Sequence, residues 1–343
     1  MRVAELIDQR VFQLREDTPR DPGPGEVQVR LQAVGICGSD LHAYSEGGVG
    51  GTSCEYPMVL GHEPAGVIVK TGEGAGGWQA GDRVFCEPAI YCYHCEFCRT
   101  GHYNVCASIR FMSMPGDPGF FRDVANVPAK NLLGVPANFG LPYSTVIEPL
   151  AVALHSMKFA SIEPGETAAV FGAGPIGFLT AACLKLAGAG RVWSIDPVAC
   201  RRELIRIAGA DATVDPAAVD PVAEILRETG GRGVDVAIDC AAKDGSINQC
   251  INVARNAGRV VVTGIPAEAM VSLEFSPMRR KEIAFFNVRR SNHESEQAME
   301  LLAAHEGTFA PLITHTRPLA EIGNAFQQLE HYRDGVGKIV IVP

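Results

Sequence analysis

VFGAGPIG, residues 170–177, is the stretch on which the reading of this chain turns. Its glycines, Gly172, Gly174 and Gly177, stand in G-x-G-x-x-G spacing. Spacing alone is a weak signal in a chain with 37 glycines. Its surroundings give it meaning. An apolar run, 168–171, precedes it, and a run suited to a helix, 176–187, follows. A second apolar run, 192–195, then ends on Asp196, 24 residues beyond Gly172. Strand, glycine turn, helix, strand and terminal carboxylate together form the pattern of a dinucleotide site. Gly172 permits the tight turn, Gly174 lets the backbone approach a pyrophosphate, and Gly177 lets the helix pack on the sheet. Pro175 and Ile176 open the helix, where a missing N–H costs nothing. Asp196 can accept ribose hydroxyls and repels a 2′-phosphate, which favours NAD over NADP. Arg201 and Arg202 follow closely and temper that preference; Arg201 joins the candidate cofactor set.

Outward from this stretch the pattern repeats. Further strands are expected at 213–214, 234–238, 260–263 and 283–288, and helices at 200–207 and 221–229. Six strands alternating with helices predict a doubly wound parallel sheet covered on both faces. Residues before about 152 read differently. Val27, Val29 and Leu31 alternate with polar neighbours, and glycine and proline punctuate at 21–25, 46–51 and 71–77. This predicts an irregular, β-rich domain with few helices. After 290 a helix at 295–305, a second at 319–332 and a closing strand at 338–342 are expected.

The 343 residues exceed what one core usually serves, so two domains are expected. A net charge of −9 argues against nucleic acid as a partner, because phosphates need a basic face. Residues 167–184 carry no charge, but Gly172, Gly174, Pro175 and Gly177 interrupt them, so they read as strand, turn and helix and not as a membrane span. The first ten residues are charged and lack an apolar stretch of the secretory kind. The 11 cysteines include four within fifteen residues, which favours metal ligation in a reducing, cytoplasmic setting over disulfides.

Those four are Cys92, Cys95, Cys98 and Cys106, spaced C-x2-C-x2-C-x7-C. Four thiolates at short range can close a tetrahedron around zinc and leave no open position. Iron–sulfur clusters also use four cysteines, usually with a different final spacing. His94 and His102 lie inside the cluster as competing ligands. A second constellation is scattered. GICGSDLH (35–42) carries Cys37, Ser39, Asp40 and His42; GHE (61–63) carries His62 and Glu63; IEPL (147–150) carries Glu148. One sulfur, one imidazole and two carboxylates offer the three ligands and vacant place of a catalytic zinc.

In these motifs, with GDRV at 81–84 and the glycine turn, the chain resembles the zinc-dependent medium-chain dehydrogenases, in their sorbitol (polyol) branch. The resemblance spans essentially the whole chain. It implies a doubly wound dinucleotide domain (152–287) inserted into a β-rich GroES-like catalytic domain (1–151 and 288–343). It implies two zinc ions per chain and NAD. Cys37 and His62 match the principal ligands of the catalytic zinc, and Glu63 and Glu148 the acidic residues that share its remaining shell. Ser39 matches the hydroxyl that touches the alcohol, and His42 the residue that passes its proton toward solvent. Val262, Gly264 and Ile265 match the backbone that meets the carboxamide, and Arg289 an arginine near cofactor or substrate. Ala43 stands where polyol enzymes often carry an aromatic, and Arg290 where tyrosine is common. Oxidation of a polyol, sugar or secondary alcohol to the ketone is expected. The alternatives are an L-threonine-type or sugar-alcohol-phosphate dehydrogenase, or an NAD-binding protein without catalysis. Relatives of this kind are homotetramers or homodimers.

Overall fold

In a computed structural model, which describes residues 1–242 and 245–343, the chain forms two compact units. One comprises Met1–Glu148, Ser295–Ala304 and Ile313–Pro343; the other comprises Pro149–Glu294 and His305–Leu312. Among the described residues, no helix is long and apolar enough to cross a membrane.

The second unit is built on a six-stranded parallel sheet. Its strands lie in the order Ala212–Val214, Arg191–Ile195, Thr167–Phe171, Val234–Asp239, Ala254–Val262 and Ala284–Asn287. The chain thus starts in the centre, winds to one edge, returns, and winds to the other. Phe171 pairs with Ile195 on one side and with Asp239 on the other, so the switch point lies at the carboxyl ends of these strands. Open α/β sheets bind ligands at that point. Every residue of Val234–Asp239 is buried, as a strand covered on both faces requires. Helices Pro221–Glu228 and Ser246–Val253 supply Ile225, Ile247 and Ile251 to the layer over Trp193, Val234 and Val260. The fifth strand begins at Ala254, well before the expected 260. Asn-Ala-Gly at 256–258 reads as a turn, but Ala257 takes a positive φ and its N–H bonds Lys281, so the strand runs on through the irregularity.

A buried ion cluster ties this unit together. Glu294 accepts a hydrogen bond from Lys158 Nζ (2.6 Å), faces His155 Nδ1 at 2.9 Å and accepts from the Asn292 N–H. Burial alone would raise its carboxyl, but His155, Lys158 and that N–H hold it down at about 2. A depressed carboxylate contributes stability above its unfolded value near 4.5 and loses it as pH falls toward 2. Glu294→Gln is therefore expected to cost about 3 kcal/mol at neutral pH. It is also expected to flatten the decline of the thermal midpoint between pH 5 and 3. An unchanged acid limb in a pH series of melting curves would refute the assignment.

The first unit is a mixed sheet in the order Leu132–Gly134, Arg83–Cys86, Glu63–Thr71, Glu26–Gly35, Lys338–Val342 and Ile313–Pro318, with Val124–Pro128 also on Glu26–Gly35. The alternation in Glu26–Gly35 buries Val27, Val29, Leu31 and Ala33. Gly35 pairs with Glu63 on one side and with Val340 on the other, which brings the end of the chain beside the GHE segment. Two helices of more than one turn that begin before residue 152 have no counterpart among the expected elements. Gly38–Glu46 follows the central strand; its nine residues are mostly polar, so no apolar period announced it. Its start is a capping box in which the Asp40 carboxylate accepts the Cys37 N–H at 3.0 Å. Ile147–Ala160 carries Pro149 in its first turn, where the N–H has no intrahelical partner to lose. The expected helix at 319–332 divides into a 3₁₀ turn, Leu319–Glu321, and a helix, Ile322–Glu330.

Candidate active site and metal centres

The glycine turn sits at the switch point. Gly172 has φ 97°, and its N–H bonds the Ile195 carbonyl at 2.7 Å. A Cβ on Gly177 would run into the Gly172 carbonyl oxygen, so the third glycine is required by close packing. Gly174 caps helix Pro175–Leu186, which starts with Pro175 and Ile176, and the Arg201 guanidinium lies 3.7 Å from where a Gly174 Cβ would stand. Asp196 ends its strand buried. One of its oxygens accepts the Ala173 N–H (2.7 Å) and the other the Val198 N–H (2.8 Å). It therefore braces the turn itself, and each oxygen keeps acceptor capacity for a ribose hydroxyl. Arg202 is committed to the Asp196 carbonyl and to Asp215.

Val262 ends the fifth strand. The N–H groups of Thr263 and Gly264 then converge on the Asp239 carbonyl at 2.8 and 2.9 Å. Gly264 packs against Ala241 and Ala242, and Ile265 beyond it is exposed. Arg289 lies just past the sixth strand on the surface. Asp239 was not singled out in the sequence, because an aspartate ending an apolar strand has no local mark. Its carboxylate collects the N–H groups of Ala241 and Ala242 and the Ser246 hydroxyl, and so shapes this end of the sheet.

Cys92, Cys95, Cys98 and Cys106 converge with all ligand atoms within 4.8 Å of one another. Sulfur separations of 3.9 Å (Cys92–Cys98), 4.0 Å (Cys95–Cys106) and 3.5 Å (Cys92–Cys106) bracket the ~3.8 Å edge of a tetrahedron with zinc–sulfur bonds near 2.3 Å. These are far beyond a disulfide bond, and all 11 cysteines are free thiols. Backbone N–H groups point at the sulfurs, from Cys95 to Cys92 and from Cys98 to Cys95. Such donors, chiefly the N–H groups of Cys98 and Ala107, favour the Cys95 thiolate. His94 and His102 are engaged elsewhere, with the Cys92 carbonyl and the Thr100 hydroxyl, and are not members of the group. The residues fit a structural zinc.

Two of the three expected segments converge in the catalytic constellation. Cys37 caps helix Gly38–Glu46, and His62 and Glu63 lie at the start of strand Glu63–Thr71. Their ligand atoms lie within 4.8 Å of one another. A thiolate, an imidazole and a carboxylate suit zinc and match the ligand count of its catalytic sites. Asp40 is the brace. It is 2 % exposed, and it accepts from the Cys37 and Gly61 N–H groups while its Oδ1 lies 3.3 Å from His62 Nδ1. Burial alone would pull the imidazole down, but Asp40 and Cys37 hold it well above its ordinary value. An imidazole whose Nδ1 is held by a carboxylate presents Nε2 to a metal. Phe111, from the segment RFMSMPGDPGFF (110–121), packs on the ring with centroids 5.4 Å apart.

Glu148 is buried at the head of helix Ile147–Ala160 but does not belong to the converging three. Burial pushes its carboxyl up to about 8; His62 and Lys338 oppose this, and Glu63 adds to it. Ser39 is half-buried in the first turn of the helix. One turn on, His42 Nδ1 lies 2.9 Å from Glu46 Oε2.

Lys338 was missed in the sequence. It opens the closing strand, is 1 % exposed, forms an ion pair with Glu63, and donates to the Ile36 carbonyl at 3.2 Å. A Cβ on Gly35 would collide with both members of this pair, which explains a glycine there. Burial opposes the ammonium, but Glu63 and Cys37 outweigh it and raise its pKa. Lys338→Met is expected to destabilise the zinc-stripped protein by about 3 kcal/mol, because a buried carboxylate loses its partner. The loss should be smaller with zinc bound. Denaturant unfolding of both forms checks this, and equal losses in the two would show that Lys338 does not serve Glu63.

Fold and sites together define a zinc- and NAD-linked oxidoreductase. Residues 23–137 match the alcohol dehydrogenase GroES-like domain, and residues 175–304 match the zinc-binding dehydrogenase family. The chain is 32% identical to a 2-dehydro-3-deoxy-L-galactonate 5-dehydrogenase of Pseudoalteromonas atlantica, over 99% of this chain and 98% of that protein. It is 29% identical to a sorbitol dehydrogenase of Bacillus subtilis, over 100% and 97%. An alcohol dehydrogenase of Escherichia coli CFT073, solved with NADH, superposes with a TM-score of 0.90 at 28% identity, covering 100% of this chain and 99% of that one. The chain belongs to the zinc-binding medium-chain dehydrogenase/reductase family, and its relatives include sugar and polyol dehydrogenases.

Proposed function

We propose that this enzyme oxidises a secondary carbinol of a polyol or sugar to the ketone, in the manner of the sorbitol dehydrogenase branch. The convergence of Cys37, His62 and Glu63 beside Asp40, with Ser39 and His42 on the helix that Cys37 caps, supports this reading. Bound zinc supplies Lewis acidity toward the alcohol oxygen, and NAD accepts the hydride. Ser39 takes up the hydroxyl proton. His42 receives it and releases it at Glu46, whose side chain is 39% exposed. Glu63 and Glu148 share the acidic place in the metal shell, and Lys338 holds Glu63 when it is not a ligand. Gly172, Gly174, Gly177 and Asp196 hold the dinucleotide, with Arg201 over the pyrophosphate side; Val262, Gly264 and Ile265 meet the carboxamide, and Arg289 lies by the cofactor. The zinc-binding domain comprises 1–151 and 288–343, and the NAD domain 152–287. The enzyme works as a homotetramer or homodimer in the cytoplasm, where its free cysteines stay reduced.

A sugar acid is the second reading. Arg290, in place of the common tyrosine, and the galactonate-derived substrate in the name of the P. atlantica relative favour it. A panel of polyols, aldonates, L-threonine and sugar-alcohol phosphates, scored by NADH production, separates these substrates. Turnover on polyols with NAD at least about tenfold above NADP is expected, and Asp196→Ser should narrow that ratio. Absence of turnover on every alcohol would sink the enzymatic reading.

A further inference from the structure

The segment from Arg110 to Phe121 runs between two surroundings. Phe111 packs on His62, and the Ser113 hydroxyl lies 3.4 Å from Asp40, so these two face the zinc ligands. Arg110 and Met112, which alternate with them, line a separate cavity of about 280 Å³. Its other walls include Arg20, Ile90, Arg122 and Val124.

The three arginines there are not equivalent. Arg20 is clamped on Glu26 at 2.6 and 2.8 Å, and Arg110 is forked onto Asp117. Arg122 has no carboxylate partner among the described residues. Its guanidinium donates to the Pro118 carbonyl at 3.3 Å, and its Nε is buried with no acceptor. Burial, followed by repulsion from Arg15 and Arg20, pushes this guanidinium down to about 10, with Asp17 pulling weakly the other way. A half-buried guanidinium whose buried Nε has no acceptor is costly and calls for an explanation. The pairing of the cavity's arginines points to one. With Arg20 held by Glu26 and Arg110 by Asp117, Arg122 is the arginine of the cavity left without a carboxylate among the described residues. The planar fork of arginine matches a carboxylate edge, and Ile90, Met112 and Val124 offer apolar walls to the rest of a ligand.

We propose that this cavity is a second ligand site, separate from the zinc centre, that binds a small apolar-bodied monocarboxylate on Arg122. Free phosphate shares the oxyanion chemistry and is distinguished by test.

The test is calorimetric titration of the zinc-loaded enzyme with benzoate and, separately, with inorganic phosphate. Cys37→Ser serves as a control, since a carboxylate can also seek the catalytic zinc. Saturable benzoate binding is expected in wild type and in Cys37→Ser, weakened at least about tenfold in Arg122→Gln. Saturable phosphate binding with no benzoate binding would overturn the monocarboxylate assignment. Binding lost in Cys37→Ser and kept in Arg122→Gln would assign the anion to the zinc and overturn the site, as would the absence of saturable heat with both ligands. The thermal midpoint gives an independent check. Arg122→Gln removes a half-buried charge that has no carboxylate partner among the described residues, so without ligand its midpoint is expected at or above that of wild type. A fall would mark Arg122 as a structural residue and overturn the proposal. If Arg122→Gln does not fold, Arg122→Lys replaces it, with about threefold weakening expected from loss of the fork.

Discussion

Cys37→Ser is expected to lower turnover by about a thousandfold or more, corresponding to about 4 kcal/mol of transition-state stabilisation. The reason is local. Cys37 supplies the only sulfur among the three converging donors, and a neutral hydroxyl is a poor substitute for a thiolate on zinc. Metal analysis should find one zinc per chain where wild type holds two. The fold should survive. The Cys37 N–H to Asp40 bond that starts the helix is a backbone bond and does not need the sulfur. NADH binding, followed by fluorescence, should also persist, because the glycine turn and Asp196 belong to the other compact unit. Turnover within a few-fold of wild type, with two zinc ions retained, would remove Cys37 from the catalytic centre.

Cys95→Ser should show the opposite profile. Its sulfur belongs to a closed four-thiolate group whose metal ties 92–106 into a compact loop. Beside the metal the loop is held by packing among Tyr91, Tyr93 and Tyr103 and by Lys130 over the Tyr93 ring. Its apolar cluster is small, with Ala89, Tyr91, Cys98 and Cys106 as the buried members. Structural zinc contributes folding free energy directly, of order 10 kcal/mol in isolated small domains. In a larger chain part of that is shared with the surrounding core, so a loss of about 4 kcal/mol and about 10 °C in thermal midpoint is expected. One zinc should again remain, now the catalytic one. Turnover of the folded protein should fall by less than about tenfold, the residual effect passing through Phe111, which packs both on this cluster and on His62. A chelator that strips the structural metal from wild type should reproduce the loss of midpoint. Full stability after both treatments would mean that the four sulfurs hold nothing.

The nucleotide half was legible because its signals are local. Strand, glycine turn, helix and terminal carboxylate fall within a few tens of residues, and each follows from backbone geometry. The six expected strands form, in the doubly wound order. Helix Gly38–Glu46 escaped notice for an equally physical reason. It is short and mostly polar, and it is held by a cap and by packing of Ala43 and Tyr44, not by an apolar period. Helix Ile147–Ala160 was hidden by a proline that does no harm in a first turn. The sequence marks Asp196 for what it offers a ribose; the structure adds that it also fastens the turn through Ala173.

By itself the sequence determined the two sites whose ligands are neighbours in the chain: the glycine turn with its carboxylate, and the four cysteines. Spacing sets their geometry, because a few rigid dihedrals separate each donor from the next. The tertiary structure alone decided the electrostatics of the catalytic centre. Asp40 reaches His62 across 22 residues, and Lys338 reaches the site from the far end of the chain. Which carboxylate stands beside the thiolate and imidazole, and which cation holds it, depends on the pairing of Gly35 with Glu63 and Val340. Strand pairing between distant segments is settled by the packing of the whole sheet, and no local period in the sequence records it.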